Sequence, residues 1–245
     1  MNLEYPIYCI NLVERTDRKQ HVINEFSKIN IDSNNVIFLH LTKDIKGGKH
    51  GCYESHTKIW NEFYKNSNSN FCLIFEDDFL TNLNCKYILE KGEKFMNDNY
   101  NNVDFLLLHN LYTKLNSNIL SKDFERGMST DLHAYFISRN YIESLINKSK
   151  YNWLNFNGVA VDLAVNFDRK HTLYSDKCYF SKQEAFTQIF ILESPSDISN
   201  NFVDFICRIP MLKWVTVYNN GFFLNFFDEN ILKDKYMEEN IKLLL

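Results

Sequence analysis

Glycine and proline are scarce in this sequence, 7 and 3 among 245 residues. Alanine is also scarce and asparagine abundant, a skew we read as the coding bias of an AT-rich genome rather than a mark of function. With so little alanine, 21 Phe and 14 Tyr must fill much of the core. An excess of positive charge is missing too. Lys plus Arg number 27 against 31 Asp plus Glu, a formal net charge of -4. Electrostatic coating of nucleic acid normally calls for a basic protein, so the charge argues against a nucleic-acid partner. No two cysteines form a CxxC pair: Cys9, Cys52, Cys72, Cys85, Cys178 and Cys207 are scattered, so a zinc ribbon or a thioredoxin-like motif is not indicated. Cys9, Cys52 and Cys72 sit in apolar runs and read as buried, reduced thiols. No apolar run approaches the ~20 residues that span a bilayer. The opening Met-Asn-Leu-Glu-Tyr-Pro lacks the basic segment and cleavage site of a signal peptide. The expectation is a cytoplasmic protein in a reducing compartment.

What is present points to a folded α/β chain. Hydrophobic residues at 45% and charged residues at 24% are near globular averages, and the length suits one large domain or two small ones. Residues 5–12 (YPIYCINL) are apolar on both alternating faces, as in a strand buried on both sides. Val22, Ile23, Phe26 and Ile29 then recur at helical spacing, with Thr16 as a cap. Further strands are expected at 36–41, 71–75, 103–108, 132–138 and near 173–180. Helices are expected at 52–64, 86–96, about Tyr141–Ile146 and near 159–167. Gly47 and Gly48 read as loop, residues 66–70 (NSNSN) as a short connection, and 112–130 as a long polar loop. No internal repeat is visible. The alternation argues for a doubly wound, mostly parallel sheet.

The sharpest chemical feature is Glu76-Asp77-Asp78, directly after the apolar run FCLIF. Ligands of open α/β sheets bind beyond the carboxyl ends of the strands. Adjacent carboxylates repel unless a cation or solvent compensates, and hard oxygen donors suit Mg²⁺ or Mn²⁺. Such an ion could bridge a nucleotide's phosphates. A solvated acidic turn is the plain alternative. At the end of the first strand, Arg15 and Arg18 could meet a phosphate or base edge, and Asp17 could accept from a ribose or brace an arginine; an ordinary charged helix start would look the same. Ser55 and His56 are neighbours on a helix and do not face each other, which argues against a Ser–His nucleophile. His133 in LHAYFIS and Asp162 in GVAVDLAV complete the candidates, Asp162 because an acid in so apolar a stretch is costly to bury alone.

In order along the chain, INLVERTDR, GCYESHTKIW, LIFEDDF, HAYFISRNYIESLI, VDLAV, and SKQEAFTQ with SPSDIS resemble the blocks of glycosyltransferase family 25. Its members include lipooligosaccharide and procollagen galactosyltransferases. The resemblance implies a GT-A-type, Rossmann-like catalytic domain over residues 1–200 and a short helical, aromatic C-terminal lobe over 201–245. It implies a UDP-sugar donor, UDP-galactose or UDP-glucose, and a Mn²⁺ (or Mg²⁺) cofactor. Asp77 and Asp78 would be the DxD-like metal ligands, with His133 approaching the ion. Asn11, Arg15 and Asp17 would surround the uridine, and Ser55 and His56 would lie on the helix packed under the site. Asp162 is the first candidate for the catalytic base of an inverting transfer and Glu76 the second. The acceptor would be a protein or glycan hydroxyl, such as collagen-like hydroxylysine or a surface glycan. The coding bias suits a giant virus, a protist or an AT-rich bacterium, which would place the protein in host cytoplasm or virion if viral.

The sequence departs from the family pattern at Glu54, where an apolar residue is usual, and in a short loop before that helix. Two other readings stay open: a UDP- or glycan-binding module without turnover, and a nucleotidyltransferase. The last calls for basic residues near the acids, and the first after Asp78 is Lys86. The C-terminal aromatics, among them Trp214, Phe222, Phe223, Phe226 and Phe227, could line an acceptor groove or a homodimer surface, with core packing the simpler role.

Overall fold

Apolar runs and amphipathic stretches alternate into strands and helices much as the pattern demands. The structure, a computed structural model, describes residues 4–109, 113–114, 121–128, 132–148, 177–183 and 185–188. Its elements are β1 (Ile7–Leu12), α1 (Thr16–Lys28), β2 (Val36–Leu41), α2 (Gly48–Asn66), β3 (Phe71–Glu76), β4 (Phe79–Thr81), α3 (Cys85–Asn99), β5 (Phe105–Leu107), β6 (Thr113–Lys114), β7 (Phe124–Met128), β8 (Ala134–Ser138), α4 (Arg139–Lys148), β9 (Cys178–Ser181) and β10 (Phe186–Gln188). The expected helix at 159–167 and the C-terminal lobe at 201–245 lie outside the described residues.

The main sheet has the order β2-β1-β3-β8-β5-β9-β7-β6. β1 is parallel to β2 and β3, and β5 is parallel to β9. β8 is antiparallel to β3 and β5, and β7 is antiparallel to β9 and β6. Followed across the sheet, β2, β1, β3, β5, β9 and β6 point one way, and only β8 and β7 run against them. The fold is therefore mixed α/β with a mostly parallel sheet. A second, small sheet pairs β10 with β4.

β3 lies inside the sheet, and its alternation divides the core in two. Leu73 and Phe75 face one way and pack with Val22 and Phe26 of α1 and Ile88 and Leu89 of α3. Cys72 and Ile74 face the other way and pack with Ile59, Trp60 and Phe63 of α2 and Tyr141, Ile142 and Leu145 of α4. Both faces are covered by helices, which is why FCLIF reads as an unbroken apolar run.

Several local readings need correction. Thr16 is the first residue of α1 rather than its cap; Arg15 holds the cap position and makes no side-chain cap bond. α1 ends where Asn30 takes a positive φ of 61°, a conformation that asparagine tolerates better than most residues. α2 begins a turn earlier than expected, because Gly47 at φ 103° supplies the turn into it. The long loop expected at 112–130 contains β6 and β7. Cys52 is only half-buried, whereas Cys9 and Cys72 are buried as expected. At the far end of α2, the Arg139 guanidinium donates to the carbonyls of Tyr64, Ser67 and Ser69 and covers the Phe63 ring at 4.8 Å. That ties the start of α4 to the orphan carbonyls of α2. No helix of the described residues is long and apolar enough to cross a membrane.

Two positions test this packing. Gly92 on α3 lies against β8 and β5: a Cβ there would meet Phe136 Cε2 at 3.0 Å and Leu106 and Leu108 side chains at 3.4 Å. Gly92→Val is expected to destabilise the fold by about 1–3 kcal/mol through overpacking, read as a lower urea midpoint. Glu25 on α1 is buried, and its carboxylate accepts from the Thr81 N–H at 2.9 Å, the Thr81 hydroxyl at 2.7 Å and the Lys28 ammonium. Burial alone would raise the Glu25 pKa; the Lys28 and Thr81 hydrogen bonds overcome it and leave it below the ordinary value. An acid with a depressed folded pKa contributes stability that is full above its unfolded pKa and is lost as pH falls through the folded one. Glu25→Gln is therefore expected to lower stability at neutral pH by about 1.5–3 kcal/mol. The gap from the parent, read by urea unfolding across pH, should close in acid; a gap constant with pH would contradict this account.

Candidate functional site

Parallel β1, β2 and β3 bring their carboxyl ends to one edge of the sheet. There the acidic run is divided, because β-strand side chains alternate between faces. Glu76, in step with Cys72 and Ile74, turns toward α2. Asp77, just past the strand, turns toward α1.

On the α1 side, Asn11 Nδ2 donates to Asp77 Oδ2 at 2.8 Å and to the Arg15 carbonyl at 3.2 Å. Two acceptors fix the orientation of that amide. Arg18 Nη1 donates to Asp77 Oδ1 at 2.8 Å and lies 3.7 Å from Asp78 Oδ2. Among the described residues, the cation paired with the aspartates is thus Arg18, from far upstream, and not Lys86, the next basic residue along the chain. Both aspartates are only 7% exposed. Burial pushes the Asp78 carboxyl up to about 7; Glu76 and Asp77 add to the rise, while Arg18 and His133 oppose it. Arg15 and Asp17 form a bidentate pair with each other, at 3.0 and 2.9 Å, on the exposed side of the same loop. The hydrogen bond from Arg15 holds the Asp17 carboxyl down at about 2.

On the α2 side lies a chain of four buried or half-buried groups. Trp60 Nε1 lies 3.2 Å from Tyr135 Oη, which lies 2.7 Å from His56 Nδ1; His56 Nε2 lies 3.0 Å from Glu76 Oε1. The chain has one direction. The indole N–H can only donate, so the Tyr135 oxygen accepts it. Burial keeps the Tyr135 phenol protonated, its pKa pushed well above the usual value. Its single proton goes to His56 Nδ1. The imidazole proton then sits on Nε2 and is donated to Glu76. The carboxylate is thereby aimed and held by a fully buried histidine.

The other expected residues fall as follows. Ser55 donates its hydroxyl to the Gly51 carbonyl within α2 at 2.6 Å, so it is not a partner of His56. His133 is buried, with Nε2 3.1 Å from the Phe186 carbonyl and its ring stacked on His109 at 4.9 Å. Asp162 lies outside the described residues. Among the described residues, two groups of potential ligands have their donor atoms within 4.8 Å of one another: Cys52, His56 and Glu76, and Asp44, His50 and Glu54. Asp77, Asp78 and His133 do not form such a group. On donor chemistry the aspartate pair still suits a hard divalent cation. Both side chains offer oxygen, and Asp78 is a buried acid whose charge Arg18 offsets only in part. Nothing in the sequence marks Trp60 or Tyr135 as functional, since each looks like core from its neighbours.

The acidic run thus stands at and beyond the carboxyl end of a central strand, the place where open α/β sheets bind their ligands. The family model for glycosyltransferase family 25 (LPS biosynthesis protein) matches residues 33–165. That span is more than half of the chain and holds GCYESHTKIW, LIFEDDF, HAYFISRNYIESLI and VDLAV. The chain belongs to glycosyltransferase family 25 and is a glycosyltransferase. Its fold is similar to that of a solved glycosyltransferase involved in glycosylation of the major capsid of PBCV-1 (10% identity, TM-score 0.47, 75% of this chain and 92% of that one). It is also similar to A197 from STIV (11% identity, TM-score 0.45, 80% and 97%). A third likeness is to a putative glucose-1-phosphate thymidylyltransferase from Bacillus anthracis (12% identity, TM-score 0.40, 74% and 69%). No curated protein matches the sequence.

Proposed function

We propose that the protein transfers galactose or glucose from a UDP-sugar to an acceptor hydroxyl, with inversion. The observation that carries this reading is the divided acidic run: Asp77 and Asp78 beside Arg18 on one face, Glu76 braced by His56 on the other. Asp77 and Asp78 would hold Mn²⁺ or Mg²⁺, which when bound supplies positive charge for a departing diphosphate. Arg18 adds fixed positive charge at the same place. The exposed Asp17 carboxylate, oriented by its bidentate pairing with Arg15, offers an acceptor for ribose or base, while Asn11 fixes the Asp77 carboxylate. The acceptor hydroxyl attacks the anomeric carbon, the bond to the UDP oxygen breaks with its electron pair, and the hydroxyl proton passes to a carboxylate. Glu76 is our choice for that carboxylate on geometry; Asp162 remains the other candidate. Collagen-like hydroxylysine and surface glycans are the acceptor classes the family relation supports.

The test is a panel of UDP-sugars with and without added Mn²⁺, followed by calorimetry and by release of UDP. Turnover of UDP-galactose or UDP-glucose that rises with Mn²⁺ is expected. Binding of UDP without release or transfer over a panel of acceptors would instead identify a binding module.

A further inference from the structure

Cys52 and His56 are four residues apart on α2 and so share one face of the helix. Glu76 reaches the same point from the end of β3. Their donor atoms lie within 4.8 Å of one another, and His56 Nε2 and Glu76 Oε1 are already 3.0 Å apart. Sulfur, imidazole nitrogen and carboxylate oxygen are the donors that zinc selects, and three protein ligands with an open fourth position is a recurring zinc arrangement. Mg²⁺ and Mn²⁺ prefer oxygen and are poor matches for this set. His56 is fully buried, but Cys52 and Glu76 are half-buried, so solvent reaches the cluster from their side.

From this geometry we infer a second, soft-metal site: Cys52, His56 and Glu76 bind Zn²⁺ or a similar thiophilic cation, and occupancy shuts off transfer. Binding releases the Cys52 thiol proton to solvent and gives Zn²⁺ a thiolate ligand. An imidazole nitrogen of His56 turns its lone pair to the ion, which breaks the directed chain from Trp60 through Tyr135. Glu76 is drawn from its place as proton acceptor. The inhibition rests on the role proposed for Glu76; the binding does not.

Cd²⁺ added to the purified full chain is expected to raise an ultraviolet cadmium–thiolate absorption band. Zn²⁺ is expected to protect Cys52 from alkylation, read by peptide mass spectrometry. Cys52→Ser should abolish the band and weaken Zn²⁺ binding about tenfold or more, while His50→Gln, which disables the Asp44–His50–Glu54 group, should leave the band intact. No band and no protection of Cys52 would overturn the site. For function, Zn²⁺ should inhibit UDP-sugar turnover of the parent and spare Cys52→Ser. Equal inhibition of both would overturn the regulatory part. A metal-binding protein that turns over no UDP-sugar would leave the zinc site standing and remove the proposed transferase activity instead.

Discussion

Replacing Asp78 by asparagine is expected to cut UDP-sugar turnover about 100- to 1,000-fold, a loss typical of removing a group that stabilises charge in the transition state. The same change should leave the thermal midpoint unchanged or raise it. Asp78 is buried beside Glu76 and Asp77, with Arg18 as the counter-charge at 2.8 Å from one aspartate and 3.7 Å from the other. Burial and like charge strain the ionised form. The amide keeps the size of the side chain and removes one negative charge from the cluster, so the fold gains what the chemistry loses. Melting curves and UDP release on one preparation test both halves. Parent-like turnover with a lower midpoint would show that Asp78 is structural and would remove it from the reaction.

The second large effect is expected at Glu76. Glu76→Gln should lower kcat about 100- to 10,000-fold, the usual range for losing a positioned base, with KM for the donor little changed. Glutamine keeps a carbonyl oxygen for the His56 N–H, so a folding defect is not expected. Tyr135→Phe separates positioning from packing. It leaves the Trp60 N–H without its acceptor and His56 Nδ1 without its donor, both buried, at about 1–3 kcal/mol for each unsatisfied group. The ring remains to pack on Phe105 at 5.5 Å. If the chain aims Glu76, kcat should also fall, by about 10- to 100-fold, without a matching change in KM. A Tyr135→Phe enzyme that is less stable but has the parent's kcat would reduce the chain to a core hydrogen-bond network.

The sequence shows the parts of this site whose signal is local. β3 is legible because a strand covered on both faces is apolar at every position, and the acids that end it stand out. α2 is legible over most of its length by its buried positions Ile59, Trp60 and Phe63, but its first turn is hidden by Gly47 and Gly48, which propensity assigns to loop. β7 is hidden for a different reason: Phe124–Met128 reads FERGM, polar in the middle, and is laddered to β9 on one side and β6 on the other. β4 and β10 are too short for any periodicity and exist by pairing with each other. What no local reading supplies is the pairing of distant polar groups. His56 meets Tyr135 across 79 positions and Asp77 meets Arg18 across 59. Read alone, His56 is a packed helical histidine and Arg18 a surface cation. The fold makes one the support of Glu76 and the other the counter-charge of Asp77.

The place of β3 in the sheet also bears on how the chain is made. β3 is laddered to β1, which precedes it, and to β8, which is synthesised after α3, β5 and β7. During translation the segment FCLIF must wait with one edge open until residue 138 has emerged. An open apolar edge of this kind is a template for pairing between chains. Chains interrupted between α3 and β8 should therefore accumulate as aggregates rather than as soluble fragments, and the hydrogen-bond chain behind Glu76 is complete only when β8, which carries Tyr135, closes that edge.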